Sequence, residues 1–292
     1  MAADKTLLDV LNASTEWLQQ RGSASARLDA ELLIGQALDL ERLQLYLNFD
    51  RPLNPAELKK ARALIKRRGT GEPIAYIRGY REFHAVRLPV GPGVLVPRPE
   101  TEQLVDLGLE HLKAQSDEDA PTWLDLCTGS ACIAVAAAVA ESELRVVAVD
   151  ISEQALVWAR KAVVEHKLED RLALRRGDLF SAIPQRFLGC FKVITANPPY
   201  IAVGDKRVEA QVTKHEPGQA LFAGHDGLDV VRTILDRAAR WLSDEGVLLI
   251  EIGAGQGPKV IELAQDAGFS NPQVLDDLAG IGRVFRAYSS GS

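Results

Sequence analysis

The sequence predicts an α/β protein in which a doubly wound parallel sheet follows a small N-terminal helical bundle, with a β-hairpin bridging the two. Two patterns carry this expectation. From Trp123 onward, short apolar runs alternate with amphipathic stretches, and apolar strands separated by helices describe a parallel sheet covered on both faces. Before residue 70 the apolar residues recur only at helical spacing. At 292 residues the chain is long for one compact domain and comfortable for a large domain plus a small one.

In chain order, residues 6–70 read as helix after helix. Leu7, Val10, Leu11, Ser14, Trp17 and Leu18 share one helical face, and Leu28, Leu32, Leu33 and Ala37 another. Leu43, Leu45, Tyr46 and Leu47 follow, and Asn54-Pro55 opens a basic helix with a capping residue and a proline in its first turn. Residues 74–96 change character: Ile74, Tyr76, Ile77, Phe83, Val86, Leu88 and Val90 precede Gly91-Pro92-Gly93, a hairpin pattern. Pro99–Ala114 reads as a helix and residues 115–120 as a polar connector. Strands are expected at 123–126, 145–149, 172–175, 191–196 and 247–252, and helices at 131–140, 153–167, 227–242 and 257–267. The tail, 272–275 and 283–288, reads as a closing strand pair. The expected domains are 1–73, a linker at 74–98, and 99–292.

Composition narrows the function classes. No stretch approaches the ~18 uninterrupted apolar residues of a membrane span, and Met1-Ala2-Ala3-Asp4-Lys5 does not open a signal peptide. Cys127, Cys132 and Cys190 are odd in number and lack C-x-x-C spacing, which argues against a disulfide framework or a zinc site and for the cytoplasm. The net charge of −6 argues against an enzyme that grips long nucleic acid. The one basic cluster, Lys59, Lys60, Arg62, Lys66, Arg67 and Arg68, reads as a solvated helix face or a docking surface.

Two regions carry chemistry. Cys127-Thr128-Gly129-Ser130-Ala131 turns from the first strand into a helix, where small residues let a ligand approach the backbone at the carboxyl edge of the sheet. Asp150 ends the second strand, 21 positions after Gly129, placed to take the hydroxyls of a ribose. Asp178, followed by Leu179, ends the third strand and could read an adenine amine. Either acid could instead cap the following helix. The turn lacks the glycine array that binds a dinucleotide pyrophosphate. S-adenosylmethionine, which has ribose and adenine but no phosphate, fits better.

Asn197-Pro198-Pro199-Tyr200 follows the apolar run 191–196. Asn offers one carbonyl acceptor and an amide donor, and the prolines have no N–H, so their backbone can only accept. With the Tyr200 ring as a flat wall, this rim suits a planar group bearing –NH2: a glutamine or asparagine amide, or an exocyclic base amine. A plain proline-rich turn is the alternative.

At this point the chain resembles the HemK/PrmC family of bacterial protein-(glutamine-N5) methyltransferases. The likeness lies in residues 25–33, 43–46, 71–77, 82–83 and 93–102, the last containing Pro97-Arg98-Pro99-Glu100-Thr101-Glu102, then in the turn, Asp150, 178–180, 197–200 and 215–217. Asn-Pro-Pro-Tyr alone also occurs in adenine-N6 DNA methyltransferases. The resemblance implies a class I S-adenosylmethionine-dependent methyltransferase with a Rossmann-like sheet, preceded by a substrate-recognition domain. It implies methylation of the glutamine of the Gly-Gly-Gln motif in class I peptide chain release factors, with S-adenosylhomocysteine as product. It further implies a monomeric protein without stable nucleic-acid or membrane partners. Asn197 and Pro198 would accept the two amide hydrogens, and Tyr200 would pack on the amide plane. Glu216 would touch the substrate or merely end a loop. Two positions depart from the family's Gly-Thr-Gly-Ser-Gly turn, Cys127 and Ala131. Cys at the first of them also resembles the sibling enzyme that modifies a ribosomal protein, and the Ala131 methyl is expected to crowd the cofactor.

Overall fold

The structure, a computed structural model, describes residues 5–115, 122–205 and 214–289. These fall into two compact units, one holding residues 5–80 with Lys214 and His215, the other holding the rest.

The first unit is helical. Helix α1 (Leu7–Gln19) opens with a capping box, the Thr6 hydroxyl accepting from the Asp9 N–H and the Asp9 carboxylate from the Thr6 N–H. Such a cap is worth about 1 kcal/mol. Helices α2 (Ala26–Leu38), α3 (Arg42–Leu47), α4 (Pro55–Gly69) and α5 (Ile74–Arg78) complete the unit. Leu7, Leu11, Leu18, Leu33, Ile34 and Leu45 form its dry centre. Two buried carboxylates tie the helices together. Glu31 accepts from Arg27, Arg42 and Tyr46 at 2.8, 2.7 and 2.7 Å, and Asp29 from Ser23, Ser25 and Arg68 at 2.8, 3.0 and 2.6 Å. The basic helix is therefore only partly a solvated face: Lys59, Lys60, Arg62 and Lys66 are exposed, while Arg68 and Arg67 pair with Asp29 and Glu72.

The stretch expected to be all hairpin is mixed. Ile74–Arg78 is a helix that stops at Gly79 (φ +82°), whose N–H bonds back to the Ala75 carbonyl. The left-handed glycine ends the helix, and only Tyr80–Phe83 (β1) and Val86–Pro89 (β2) pair as strands.

In the second unit a 3-10 turn, Pro99–Thr101, leads into α6 (Glu102–Ala114). Strands β3 (Thr122–Leu126), β4 (Arg145–Asp150), β5 (Leu172–Arg176), β6 (Phe191–Ala196), β7 (Leu242–Glu251), β8 (Ser270–Asp276) and β9 (Gly282–Tyr288) form one sheet. Its order is β5-β4-β3-β6-β7-β9-β8. The first five strands run parallel, and β9 and β8 close the edge antiparallel. Successive residues point to opposite faces, so Trp123, Val193 and Leu249 join a core with α6, α7 (Cys132–Ala140) and α8 (Glu153–Glu165). Leu124, Ile194 and Ile250 join another with α9 (Asp229–Ala238) and α10 (Gly257–Asp266). The chain runs outward through β4 and β5, then returns to place β6 on the other side of β3. That reversal opens a crevice at the carboxyl ends of β3 and β6, the usual ligand position of such sheets.

Candidate active site

A cavity of about 290 Å³ occupies that crevice. One wall is the turn after β3. Cys127, Gly129 and Ala131 all adopt left-handed backbone, with φ of +55°, +57° and +63°. A side chain in this region costs about 1–2 kcal/mol, which accounts for a pattern with glycine at all three positions. Here only Gly129 is free of that cost. The turn is held by Thr128 N–H to Val149 O at 3.0 Å, Ala131 N–H to Thr128 O at 2.8 Å, and Gly129 N–H to Asp150 Oδ2 at 2.8 Å. Cys127, Thr128, Gly129 and Ser130 line the cavity, and Ala131 does not. The Ala131 methyl lies in the core behind the turn.

Beneath the turn lies Asp125, wholly buried. It accepts from the Thr128 hydroxyl and, at 2.8 Å, from that of Thr195, which in turn accepts from Trp123 Nε1 at 2.8 Å. Burial pushes its carboxyl up to about 7 against these hydrogen bonds. Burial likewise pushes the Cys127 thiol well up, aided by the Asp150 charge, which favours its protonated form.

Asp150 and Asp178 both line the cavity with Leu179. Asp150 does not cap α8, since Ser152 does so through the Ala155 N–H at 3.2 Å. Its two oxygens accept from Gly129 N and Ser152 N, each at 2.8 Å. Burial raises its carboxyl and these backbone donors oppose the rise. Asp178 precedes a 3-10 turn without a side-chain cap bond, leaving its exposed carboxylate open to a ligand.

Asn197 and Pro199 line the cavity at the end of β6. Pro198 is buried and Tyr200 half-buried beside them, and neither forms part of this wall. Burial, with the nearby Glu251 charge, pushes the Tyr200 phenol up to about 12. Glu216 is buried, its oxygens accepting from Val96 N at 3.0 Å and Arg98 Nη2 at 2.6 Å. In this arrangement it anchors a loop.

Sequence reasoning missed Thr101 and Glu251. Thr101 lines the cavity and accepts from Asn197 Nδ2 at 3.1 Å. The Pro97–Glu102 segment that carried the resemblance held the signal for it. The cavity's chemistry suits an adenosyl group: carboxylates at both strand ends, apolar wall from Val94, Leu95 and Ile133, and a buried Ser130 Oγ with no nitrogen or oxygen partner among the described residues.

A sheet of this order with an acid-lined cavity at its reversal is the fold of class I S-adenosylmethionine-dependent methyltransferases. Residues 101–215 match the model for the methyltransferase small domain. A Thermus thermophilus 16S rRNA N2 G1207 methyltransferase shares the fold, at 19% identity and TM-score 0.52 over 72% of this chain and 50% of that one. Residues 9–79 match the model for the PrmC N-terminal domain. Release factor glutamine methyltransferases of Rhodopirellula baltica and Geobacter sulfurreducens are 39% and 38% identical to the chain, each alignment covering 96% of it and 95% of the relative. The chain belongs to the release factor glutamine methyltransferase family.

Proposed function

We propose that the protein methylates the side-chain amide nitrogen of the glutamine in the Gly-Gly-Gln motif of class I peptide chain release factors, drawing the methyl from S-adenosylmethionine. The observation that carries this reading is Asn197 at the cavity wall, with its –NH2 held by Thr101 and its Oδ1 taking no donor from the described residues. When bound, the cofactor supplies an electrophilic methyl on a sulfonium sulfur. Asp150 takes the ribose hydroxyls with its remaining lone pairs, and Asp178 and Leu179 flank the adenine.

An amide nitrogen is a poor nucleophile because its lone pair is delocalised into the carbonyl. Asn197 Oδ1 and the Pro198 carbonyl accept its two hydrogens and turn the lone pair toward the methyl. Their partial negative charge favours the positive charge that builds on nitrogen during transfer. The sulfonium would supply the methyl and leave as a neutral thioether, and the amide nitrogen would then pass its surplus proton to solvent without a strong base. Catalysis is positioning plus electrostatics. Pro199 and Tyr200 stiffen the rim, and Glu216 holds the loop after it. Residues 1–73 serve substrate recognition, 74–98 link, and 99–292 carry the chemistry. The protein works as a cytoplasmic monomer on a protein substrate and holds no nucleic acid. Radiolabelled cofactor offered with purified release factor, large-subunit ribosomal protein and DNA tests the substrate class: label is expected in release factor, and label confined to either other substrate contradicts it.

A further inference from the structure

Glu251 ends β7 and Thr101 ends the 3-10 turn before α6, 150 positions apart in sequence, yet the Thr101 hydroxyl donates to Glu251 Oε2 at 2.6 Å. Both are nearly inaccessible to water, Glu251 at 3% and Thr101 at 1%. The same hydroxyl oxygen receives the Asn197 Nδ2 at 3.1 Å. A hydroxyl has one proton and an ionised carboxylate has none. With its proton committed to Glu251, Thr101 can only accept from its other neighbour, so Asn197 must show it the –NH2. The oxygen of that amide is then forced to the opposite fork.

An asparagine amide without such a partner turns about its last torsion between two nearly equivalent settings. One presents the oxygen to a substrate amide. The other presents the –NH2, donor against donor, and cannot hold the substrate. We propose that Glu251 and Thr101 are positioning residues that lock Asn197 with its acceptor oxygen toward the substrate amide, an assignment that rests on the glutamine-methylation reading. Neither residue touches the reacting atoms. Burial raises the Glu251 carboxyl above the usual carboxylate range, and the Thr101 hydrogen bond and the Arg283 charge oppose that rise. The relay thus joins Asn197 of the Asn-Pro-Pro-Tyr segment to an acid on the neighbouring strand.

The test is single-turnover methylation of purified release factor by the full chain, with thermal unfolding and calorimetric titration of S-adenosylmethionine on each variant. Thr101→Val keeps the shape and removes the relay, and the methyl-transfer rate is expected to fall at least ~10-fold, with cofactor affinity within about threefold of the parent. Thr101→Ser restores the hydroxyl and is expected to recover most of the lost rate, which a purely space-filling role would not require. Glu251→Gln carries its own –NH2, so it can reverse the relay, and it is expected to slow transfer several-fold at unchanged cofactor affinity. A parent active on release factor beside a folded Thr101→Val variant within threefold of it overturns the relay alone. If Thr101→Val does not fold, a Glu251→Gln rate equal to the parent's overturns it. A parent that transfers no methyl to release factor overturns the glutamine reading itself, and this assignment with it.

Discussion

Asp150 uses both carboxylate oxygens on backbone donors of the turn and of the α8 entrance, so its removal acts on cofactor and scaffold together. Asp150→Ala is expected to weaken S-adenosylmethionine binding by about 1.5–3 kcal/mol, the worth of a charged hydrogen-bond partner, and to lower stability by about 1 kcal/mol. Unchanged affinity by calorimetric titration would remove it from the site. Asp125 acts through the proton it retains. In the folded chain its carboxyl titrates at about 7, in the unfolded chain near 3.8. Between those values the native state holds the extra proton. Its contribution to stability therefore falls as pH rises from about 4 to about 7 and levels off above, by at most about 1.4 kcal/mol per pH unit. Asp125→Asn cannot titrate, so the parent should lose stability relative to the variant between about pH 5 and about pH 8. Denaturant unfolding at the two values checks this, and a pH-independent difference would contradict it.

At the scale of elements, α6 meets the sheet through Gly108. A Cβ there would lie 2.1 Å from Cη2 of Trp123, whose ring is wholly buried and held by its bond to Thr195. Gly108→Ala is expected to destabilise by about 1–3 kcal/mol despite alanine's better helix propensity, since an overpacked core has no room to yield. A melting temperature equal to or above the parent's would contradict the close approach. The parallel strands were legible because burial on both faces leaves continuous apolar runs, and 191–196 matches β6 at both ends. The helix at Ile74–Arg78 was misread because a five-residue stretch has too few turns to display a period. Pro73 before it and Gly79 after it were the available signals. β7 starts at Leu242 rather than 247 because its early residues pair with β6 across a register shift, which leaves no mark in the hydrophobic pattern. The acids at strand ends could be read because they follow the local order of strand and turn. Thr101, Glu251 and Asn197 could not be grouped, because they meet only through the sheet order.

At the scale of the whole molecule, each unit has its own apolar core, and every residue lining the described cavity belongs to the second. A chain beginning at Arg81 is therefore expected to bind S-adenosylmethionine by calorimetry yet to methylate intact release factor poorly. Full activity on the intact substrate would sink the assignment of the helical unit to recognition. Among the described residues no helix is long and apolar enough to cross a membrane.

The central claim is that Asn197 presents an acceptor to a glutamine amide of a release factor. Intact-mass and peptide analysis of release factor, incubated with S-adenosylmethionine and either the parent enzyme or Asn197→Ala, tests it most directly. The parent should add one methyl, on the glutamine of the Gly-Gly-Gln segment, and Asn197→Ala should add it at least ~100-fold more slowly, as for the loss of one preorganised electrostatic contact. A methyl elsewhere, no methyl at all, or an Asn197→Ala rate within about threefold of the parent would contradict the account.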